Sequence, residues 1–395
     1  MQLNSHKDFR NELSAELDNI LGYWKRFSPD DEHGGFVGCR DHYNKLILKA
    51  NKGIILNTRL LWTFSAIGNF RQDKSTVELA TRAYKYLKDY FQDKKNGGVF
   101  WELDYTGKPV NTRKQIYAQA FAVYALSEYY KLTKEEEVKN WAVSLFELIE
   151  EHGRDRKNNG YLEAFQQDWS PIEDMRLSEK EDNSAKTMNT HLHILEAYTT
   201  LYQITKEEKV REALHNLSIL FLEKFYAEEI QHFHLFFDVK WNRTNNIVSY
   251  GHDIEAVWLI IEAVRTLNDT DLLKKANRVA VDVAETFLKE GYVKGAGVLN
   301  EKNLDTGNLD TDRHWWPQVE AMVGLDFAFR ITNENEFQEA ISDIWEYTKS
   351  QIIDRENGEW HFRLNKNNEP YTKEDKLSMW KAPYHNSRAC MMLLK

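Results

Sequence analysis

Six times along the chain a short glycine- or turn-rich segment carrying an aromatic or aliphatic residue comes back, and nothing else in the sequence restricts the fold as much. The segments are His33-Gly34-Gly35-Phe36, Asn96-Gly97-Gly98-Val99-Phe100-Trp101, Asn159-Gly160-Tyr161-Leu162, Gln231-His232-Phe233-His234, Gly295-Ala296-Gly297-Val298-Leu299 and Asn357-Gly358-Glu359-Trp360. Between Gly35, Gly98, Gly160, Phe233, Gly297 and Gly358 the steps are 63, 62, 73, 64 and 61 residues. A period of about sixty residues is the length of two helices with their loops, so the chain reads as six helical pairs.

The helical patterns between these segments are of two kinds. From Lys134 to Glu151, Val138, Trp141, Leu145 and Leu148 form one apolar stripe among lysines and glutamates, which is the pattern of a helix with one face in water. Ile254 to Val264, Ala118 to Leu126 and His193 to Ile204 are apolar nearly all round and must be buried. Ser75 with Glu78, Thr133 with Glu136, Thr205 with Glu208 and Asn335 with Gln338 read as capping boxes opening the charged helices. A charged helix from about Lys7 to Arg26 comes first, so the order is outer then inner, six times over. Six outer and six inner helices closing on themselves give an all-α (α/α)6 barrel. An open α-solenoid is the alternative, but its inner helices would not need to be apolar on every side. With no Pro/Gly/Ser-rich linker and 42% hydrophobic residues, residues 1–395 are expected to form one domain.

A net charge of −10 without any basic run argues against nucleic acid or an anionic membrane as partner. The expected ligand is a small uncharged molecule. Met1-Gln2-Leu3-Asn4-Ser5-His6-Lys7 lacks the apolar core of a signal peptide, and no apolar run is long enough to span a membrane. Two cysteines, Cys39 and Cys390, fit free thiols in a cytoplasmic protein. With 12 Trp, 19 Tyr and 20 Phe, the chain can also furnish an aromatic cleft suited to the apolar faces of sugar rings.

In a closed barrel the inner helices all start at one rim, so matching positions face one cavity. Nineteen residues after Gly98, Phe233 and Gly297 stand Tyr117, His252 and Trp316, and the other repeats offer Arg59, His193 and His385 near their helix starts. In Gly251-His252-Asp253-Ile254-Glu255, His252 and Glu255 are three apart on one helical face, so the carboxylate is expected to orient the imidazole. Asn189 shares a face with His193, while His191 points elsewhere and reads as loop support. No metal site is expected from His191-x-His193, and no redox or phosphate motif is present. The loop from Gln166 to Lys186, holding Trp169, reads as a lid or cleft wall.

Histidines and an arginine facing one cavity suit proton transfer at a carbon beside a carbonyl: one imidazole removes the proton, the guanidinium stabilises the enediolate oxygen, and a second imidazole returns a proton. A histidine base further predicts an acid limb in the rate between about pH 5 and 8. Two rival classes stand beside this reading. An (α/α)6 glycoside hydrolase would need two carboxylates across the scissile bond, for which Glu196, Glu255 and Glu320 are candidates, although each follows a rim residue by about one turn. A non-catalytic sugar-binding module would have little use for three rim histidines.

Asn51-Lys52-Gly53, Asn57 through Phe64, Tyr117-Ala118-Gln119, Met188 through His193, Gly251 through Ala256, Asp310 through Gln318 and Trp380 through Asn386 together resemble the cellobiose 2-epimerase family of the N-acylglucosamine 2-epimerase superfamily. The resemblance spans nearly the whole chain. It implies epimerisation at C2 of the reducing-end glucose of a β-1,4-linked disaccharide, without metal or other cofactor; a monomer or weak homodimer is expected. Mannose or N-acylglucosamine 2-epimerases and aldose–ketose isomerases of the same superfamily are the nearest alternatives. By motif, His252 and His385 resemble the acid/base pair, and His193 the residue assisting ring opening. Glu255 would orient its histidine, Arg59, Tyr117 and Asn189 would contact the reacting sugar, and Trp316 and Trp380 would hold the two rings.

Overall fold

The computed structural model describes residues 2–178 and 182–395. Met1, in the stretch read for a signal peptide, and residues 179–181, in the expected lid loop, lie outside the described residues. Twelve helices follow one another: α1 (Gln2–Phe27), α2 (Ile54–Arg71), α3 (Lys74–Tyr86), α4 (Ile116–Thr133), α5 (Glu136–Leu148), α6 (Met188–Thr205), α7 (Glu208–Leu220), α8 (Tyr250–Leu267), α9 (Thr270–Glu290), α10 (Trp315–Thr332), α11 (Asn335–Tyr347) and α12 (Tyr384–Leu393). Odd-numbered helices lie outside and even-numbered ones inside. The inner helices touch in the cycle α2, α4, α6, α8, α10, α12 and back to α2, which closes the (α/α)6 barrel. Burial follows the two sequence patterns: α2 is buried at every residue from Ile54 to Gly68, whereas α9 buries only a stripe that includes Leu272, Ala276, Val279, Val283 and Phe287.

Two kinds of connection alternate. Each passage from inner to outer helix takes two residues, and the first, Gln72, Lys134, Lys206, Asn268 or Asn333, is left-handed with φ between 55° and 60°. That conformation turns the backbone N–H back on the helix it ends, as in Gln72 N to Gly68 O at 2.8 Å. So tight a turn corrects the expected caps. Asp73 and Asp269 are the side chains that accept at the starts of α3 and α9. Thr133 and Thr205 instead end α4 and α6, donating to Tyr129 O at 3.1 Å and Leu201 O at 2.9 Å, while Ser75 and Asn335 already lie within α3 and α11.

The long connections from outer to inner helix gather at the opposite rim, and the recurring glycine segments belong to them. In four repeats the fourth residue of the following inner helix grips the segment's backbone. Gln119 accepts from Val99 N at 2.8 Å and donates to Val99 O at 3.0 Å, and Gln318 does the same at Val298, at 2.9 and 3.1 Å. His191 Nε2 accepts from Tyr161 N at 2.9 Å, the loop support expected of it, and Asp253 accepts from Phe233 N at 2.9 Å. At Val99 the grip needs a bare neighbour: a methyl on Gly98, which has φ 76°, would lie 2.8 Å from Gln119 Oε1. Fully buried lysines just ahead of three inner helices fasten the same loops, Lys52 to Asp30 at 2.7 Å, Lys114 to Asp93 at 2.9 Å and Lys186 to Asp155 at 2.8 Å.

Candidate active site

At the rim formed by the long connections a cavity of about 790 Å³ opens, and Arg59, Tyr117, Asn189, His193, His252, Glu255, Trp316, Trp380 and His385 all line it. The positions follow from where each helix begins. Tyr117, Trp316 and His385 are the second residues of α4, α10 and α12, His252 is the third of α8, and Arg59 and His193 are the sixth of α2 and α6. The stretch after Gln166 contributes Leu177, Ser178 and Asp182 as a wall. Trp169 from the same stretch packs behind, its indole donating to Asn96 O at 2.9 Å and its ring stacked on His152.

The three histidines differ in what stands behind them. His193 Nδ1 lies 3.1 Å from Glu196 Oε2, the pairing three residues apart that a helix allows. His385 Nδ1 lies 2.7 Å from Glu320 Oε1 and 3.9 Å from Glu255 Oε1. His252 Nδ1 lies 2.8 Å from Ser249 Oγ, just before α8. The expectation that Glu255 orients His252 is therefore corrected. Glu255 sits one turn deeper in α8, where Arg388 Nη2 of α12 takes its Oε1 at 2.7 Å. Gly251 shapes this corner, since a methyl there would lie 2.5 Å from the Trp316 ring. The indole can thus reach within 4.8 Å of the His252 ring and 5.5 Å of the His385 ring.

Burial moves the imidazoles out of their usual range. It lowers His252 to about 3, with His193 adding to the effect, and lowers His385 to about 3 against the opposing hydrogen bond to Glu320. His193 is lowered by burial as well. All three are neutral near pH 7, the form that accepts a proton, and on this geometry no acid limb is expected from His252 or His385 between about pH 5 and 8. Glu255 is pushed up, to about 8, by burial and by the neighbouring Glu320 charge. Burial acts upward on Glu320 too, but Arg388 and His385 hold it down, to about 2.

Arg59 donates to the Tyr117 hydroxyl at 3.0 Å and to Trp380 O at 3.2 Å, with its guanidinium carbon 4.7 Å from the Phe121 ring centroid. Among the described residues its hydrogen-bond partners are these two neutral oxygens and no carboxylate, which leaves its charge available to a ligand oxygen. Arg59 Nε and Asn189 Oδ1 are buried without a hydrogen-bond partner, one donor and one acceptor that sugar oxygens and hydroxyls would satisfy. Glu255, Glu320 and His385 bring ligand atoms within 4.8 Å of one another, as a metal site would. The cation among them is Arg388, which bonds both carboxylates at 2.7 Å, and a metal ion would have to displace it. The same guanidinium and Trp258, whose Nε1 donates to Glu320 at 3.0 Å, tie up the carboxylates a hydrolase would need free.

Sequence reasoning missed Ser249 behind His252 and the wall residues Asn245, Arg363 and Glu374, and above all it missed Arg388. Its one signal is the spacing of four from Tyr384, which places both on one face of α12.

Residues 34–389 match the family model described as N-acylglucosamine 2-epimerase (GlcNAc 2-epimerase). The chain is similar to a cellobiose 2-epimerase of Bacteroides fragilis, 44% identical with 98% of each chain covered, and to one of Dictyoglomus turgidum, 37% identical with 98% and 99% covered. Among solved structures it is similar to the cellobiose 2-epimerase from Bacillus thermoamylovorans, with a TM-score of 0.94, 38% identity and 98% and 99% of the two chains covered.

Proposed function

Because the chain belongs to the N-acylglucosamine 2-epimerase family, we propose that this isomerase inverts C2 of the reducing-end glucose of β-1,4-linked disaccharides, turning cellobiose into glucosyl-mannose and lactose into epilactose. The observation that carries the reading is the meeting of His193, His252 and His385 with Arg59 in one cavity. With the sugar ring open, a neutral imidazole takes the C2 proton and the electron pair moves onto the C1 carbonyl oxygen. The Arg59 guanidinium is the charge that meets this enediolate. Return of a proton to the other face of C2 gives the epimer.

The two imidazoles flanking Trp316 are unequal. A charge gained by His385 is met by Glu320 at 2.7 Å, whereas His252 Nδ1 is bonded to the neutral Ser249 hydroxyl at 2.8 Å and feels Glu320 only at longer range. His385 is accordingly assigned removal of the C2 proton. His252, neutral at rest, takes a proton from solvent and returns it to the other face of C2, after which His385 releases its own proton to solvent. His193 and its Glu196 are left to assist ring opening. A disaccharide is favoured over a monosaccharide by the size of the cavity, about 790 Å³, and by its outer wall of Asp182, Asn245, Asp310, Arg363 and Glu374, which a single hexose at the histidines would leave unused. Trp316 and Trp380 are assigned the stacking of the two rings.

Residues 1–395 are proposed to act as one domain, a cytoplasmic monomer or weak homodimer; among the described residues no helix is long and apolar enough to cross a membrane.

The test is incubation with cellobiose, mannose and N-acetylglucosamine in heavy water. Deuterium is expected at C2 of cellobiose and its epimer, and to be lost in His252→Asn and His385→Asn while disaccharide binding persists. Cleaved glucose without C2 label would make the protein a hydrolase, and label in mannose alone would make it a monosaccharide isomerase.

A further inference from the structure

Three buried carboxylates from three helices, Glu196 of α6, Glu255 of α8 and Glu320 of α10, converge on one guanidinium. Arg388 Nη2 bonds Glu255 and Glu320, each at 2.7 Å, while Nη1 bonds Glu196 and the Tyr384 hydroxyl. None of these four charged residues is more than 4% exposed. The guanidinium is sandwiched by rings, 4.5 Å from the centroid of Trp258 and 4.2 Å from that of Tyr384. Two of the carboxylates in turn stand behind cavity imidazoles, Glu196 behind His193 and Glu320 behind His385. A planar fork with donors on both sides suits this geometry, and the point charge of lysine would not.

We propose that Arg388 is a positioning residue of the site, the guanidinium that keeps Glu196 and Glu320 charged and aimed at His193 and His385. This rests on the epimerase reading above. Without Arg388, Glu196 and Glu320 would share one low-dielectric pocket with Glu255, which already leans to its protonated form, and would themselves be drawn to take up protons. A neutral carboxyl no longer fixes its imidazole or answers the charge that imidazole gains.

Arg388 is also within reach from the side away from the substrate. A second cavity of about 410 Å³ opens toward the short turns, lined by Arg388 and Glu196 together with Trp62, Tyr124, Trp258 and Met391. It lies beside α12, which has ten residues against 18 in each of the other inner helices. A small cation entering there can take the place of a deleted guanidinium without meeting the disaccharide.

The experiment compares the full-length parent, Arg388→Ala and Arg388→Lys for C2 exchange on cellobiose, with guanidinium chloride or urea added. Arg388→Ala is expected to lose about 10- to 100-fold in kcat with KM little changed. Guanidinium should restore part of that kcat without competing with cellobiose. Urea, of the same shape but neutral, should not.

The pH profile supplies a readout that a packing role would not move. Around Arg388 the groups that can respond are Glu196, Glu255 and Glu320, the hydroxyls of Tyr124 and Tyr384, and His193 and His385, with Arg59 the other cation nearby. Burial raises Glu196 and Glu320 and Arg388 overrides it, so both variants should gain an acid limb that the parent lacks, and guanidinium should remove it from Arg388→Ala. Should Arg388→Ala fail to fold, Arg388→Lys decides, with reduced kcat and the new limb expected. Parent-like kcat and pH profile in a folded variant, or a loss in folded Arg388→Ala that guanidinium cannot lessen, would overturn the inference. A parent that exchanges no C2 proton overturns the epimerase reading instead.

Discussion

At the scale of single residues, the two carboxylates beside His385 invite opposite expectations. Glu255 is pushed toward its protonated form, whereas Glu320 is held charged by Arg388 and His385. Glutamine has the shape of a protonated glutamate, so Glu255→Gln should keep kcat within a few-fold of the parent near pH 7. Glu320→Gln removes the charge at 2.7 Å from His385 Nδ1 and should cost about 10- to 100-fold in kcat. Equal losses in the two variants would contradict the assignment. Their pH profiles extend the comparison. His252 and His385 both sit at about 3, so their neutral form persists down through the ordinary imidazole value of 6.5. The parent's kcat/KM should therefore show no limb near 6.5, and one centred there would count against a base buried this deeply. The sequence led to every one of the nine cavity residues named from it, because each lies within six residues of an inner-helix start or follows from a family motif. It misjudged the partner of Glu255, because a spacing of three is visible in the chain and an arginine 133 residues away is not.

At the scale of elements, the recurring glycine segments are legible as a period, but the reason for them is not. In four repeats the loop strand offers its backbone to the fourth residue of the next inner helix, with a glycine just before the gripped residue at Gly98, Gly160 and Gly297 and His232 in the fourth, and the gripping residue changes identity from Gln119 to His191 to Asp253 to Gln318. Only the hydrogen-bonding role is common, so no repeat of residue type announces it. The caps failed for a related reason: the Ser/Thr/Asn-x-x-Glu/Gln pattern is there, yet the turn is made by a left-handed residue that needs no particular side chain, directly after Thr133 and Thr205 and ahead of Ser75 and Asn335. The grip itself can be tested at Gln119, which holds both Val99 N and Val99 O. Gln119→Ala would leave two buried backbone groups without partners, worth about 3 kcal/mol by the usual cost of such groups. Urea unfolding should report that loss, and KM for cellobiose should rise because Tyr117 lies on the same turn. A variant within a few tenths of a kcal/mol of the parent would show that the loop is held by something else.

At the scale of the whole molecule, a barrel of repeats has one seam where the last unit must meet the first, and here that seam is sealed by charge inside the protein. Glu359 of the sixth glycine segment pairs with fully buried Lys381, accepts from Asn386 of α12 at 2.9 Å and accepts from Trp24 of α1 at 3.1 Å. Beside it Trp360 donates to Glu16 of α1 at 2.8 Å. Burial pushes the Glu359 carboxyl up, but Lys381 and the donors around it hold it below its ordinary value, so the seam is sealed with Glu359 ionised. Removing one partner of such a pair strands the other's charge in the interior, an effect of about 3 to 5 kcal/mol. Lys381→Met keeps the length of the side chain and deletes the charge, so its lower melting temperature should come from Glu359 alone. The same substitution should also weaken catalysis, because Lys381 directly precedes the turn that delivers His385 and Arg388 to the centre. If six pairs form one closed unit, the variant and the parent should each unfold in a single step, with tryptophan fluorescence and far-UV circular dichroism changing together. A variant that loses helix α12 first, visible as a separate early transition while the remaining helices persist, would mean that the last pair docks on an already stable arc, and that closure serves the site more than the fold.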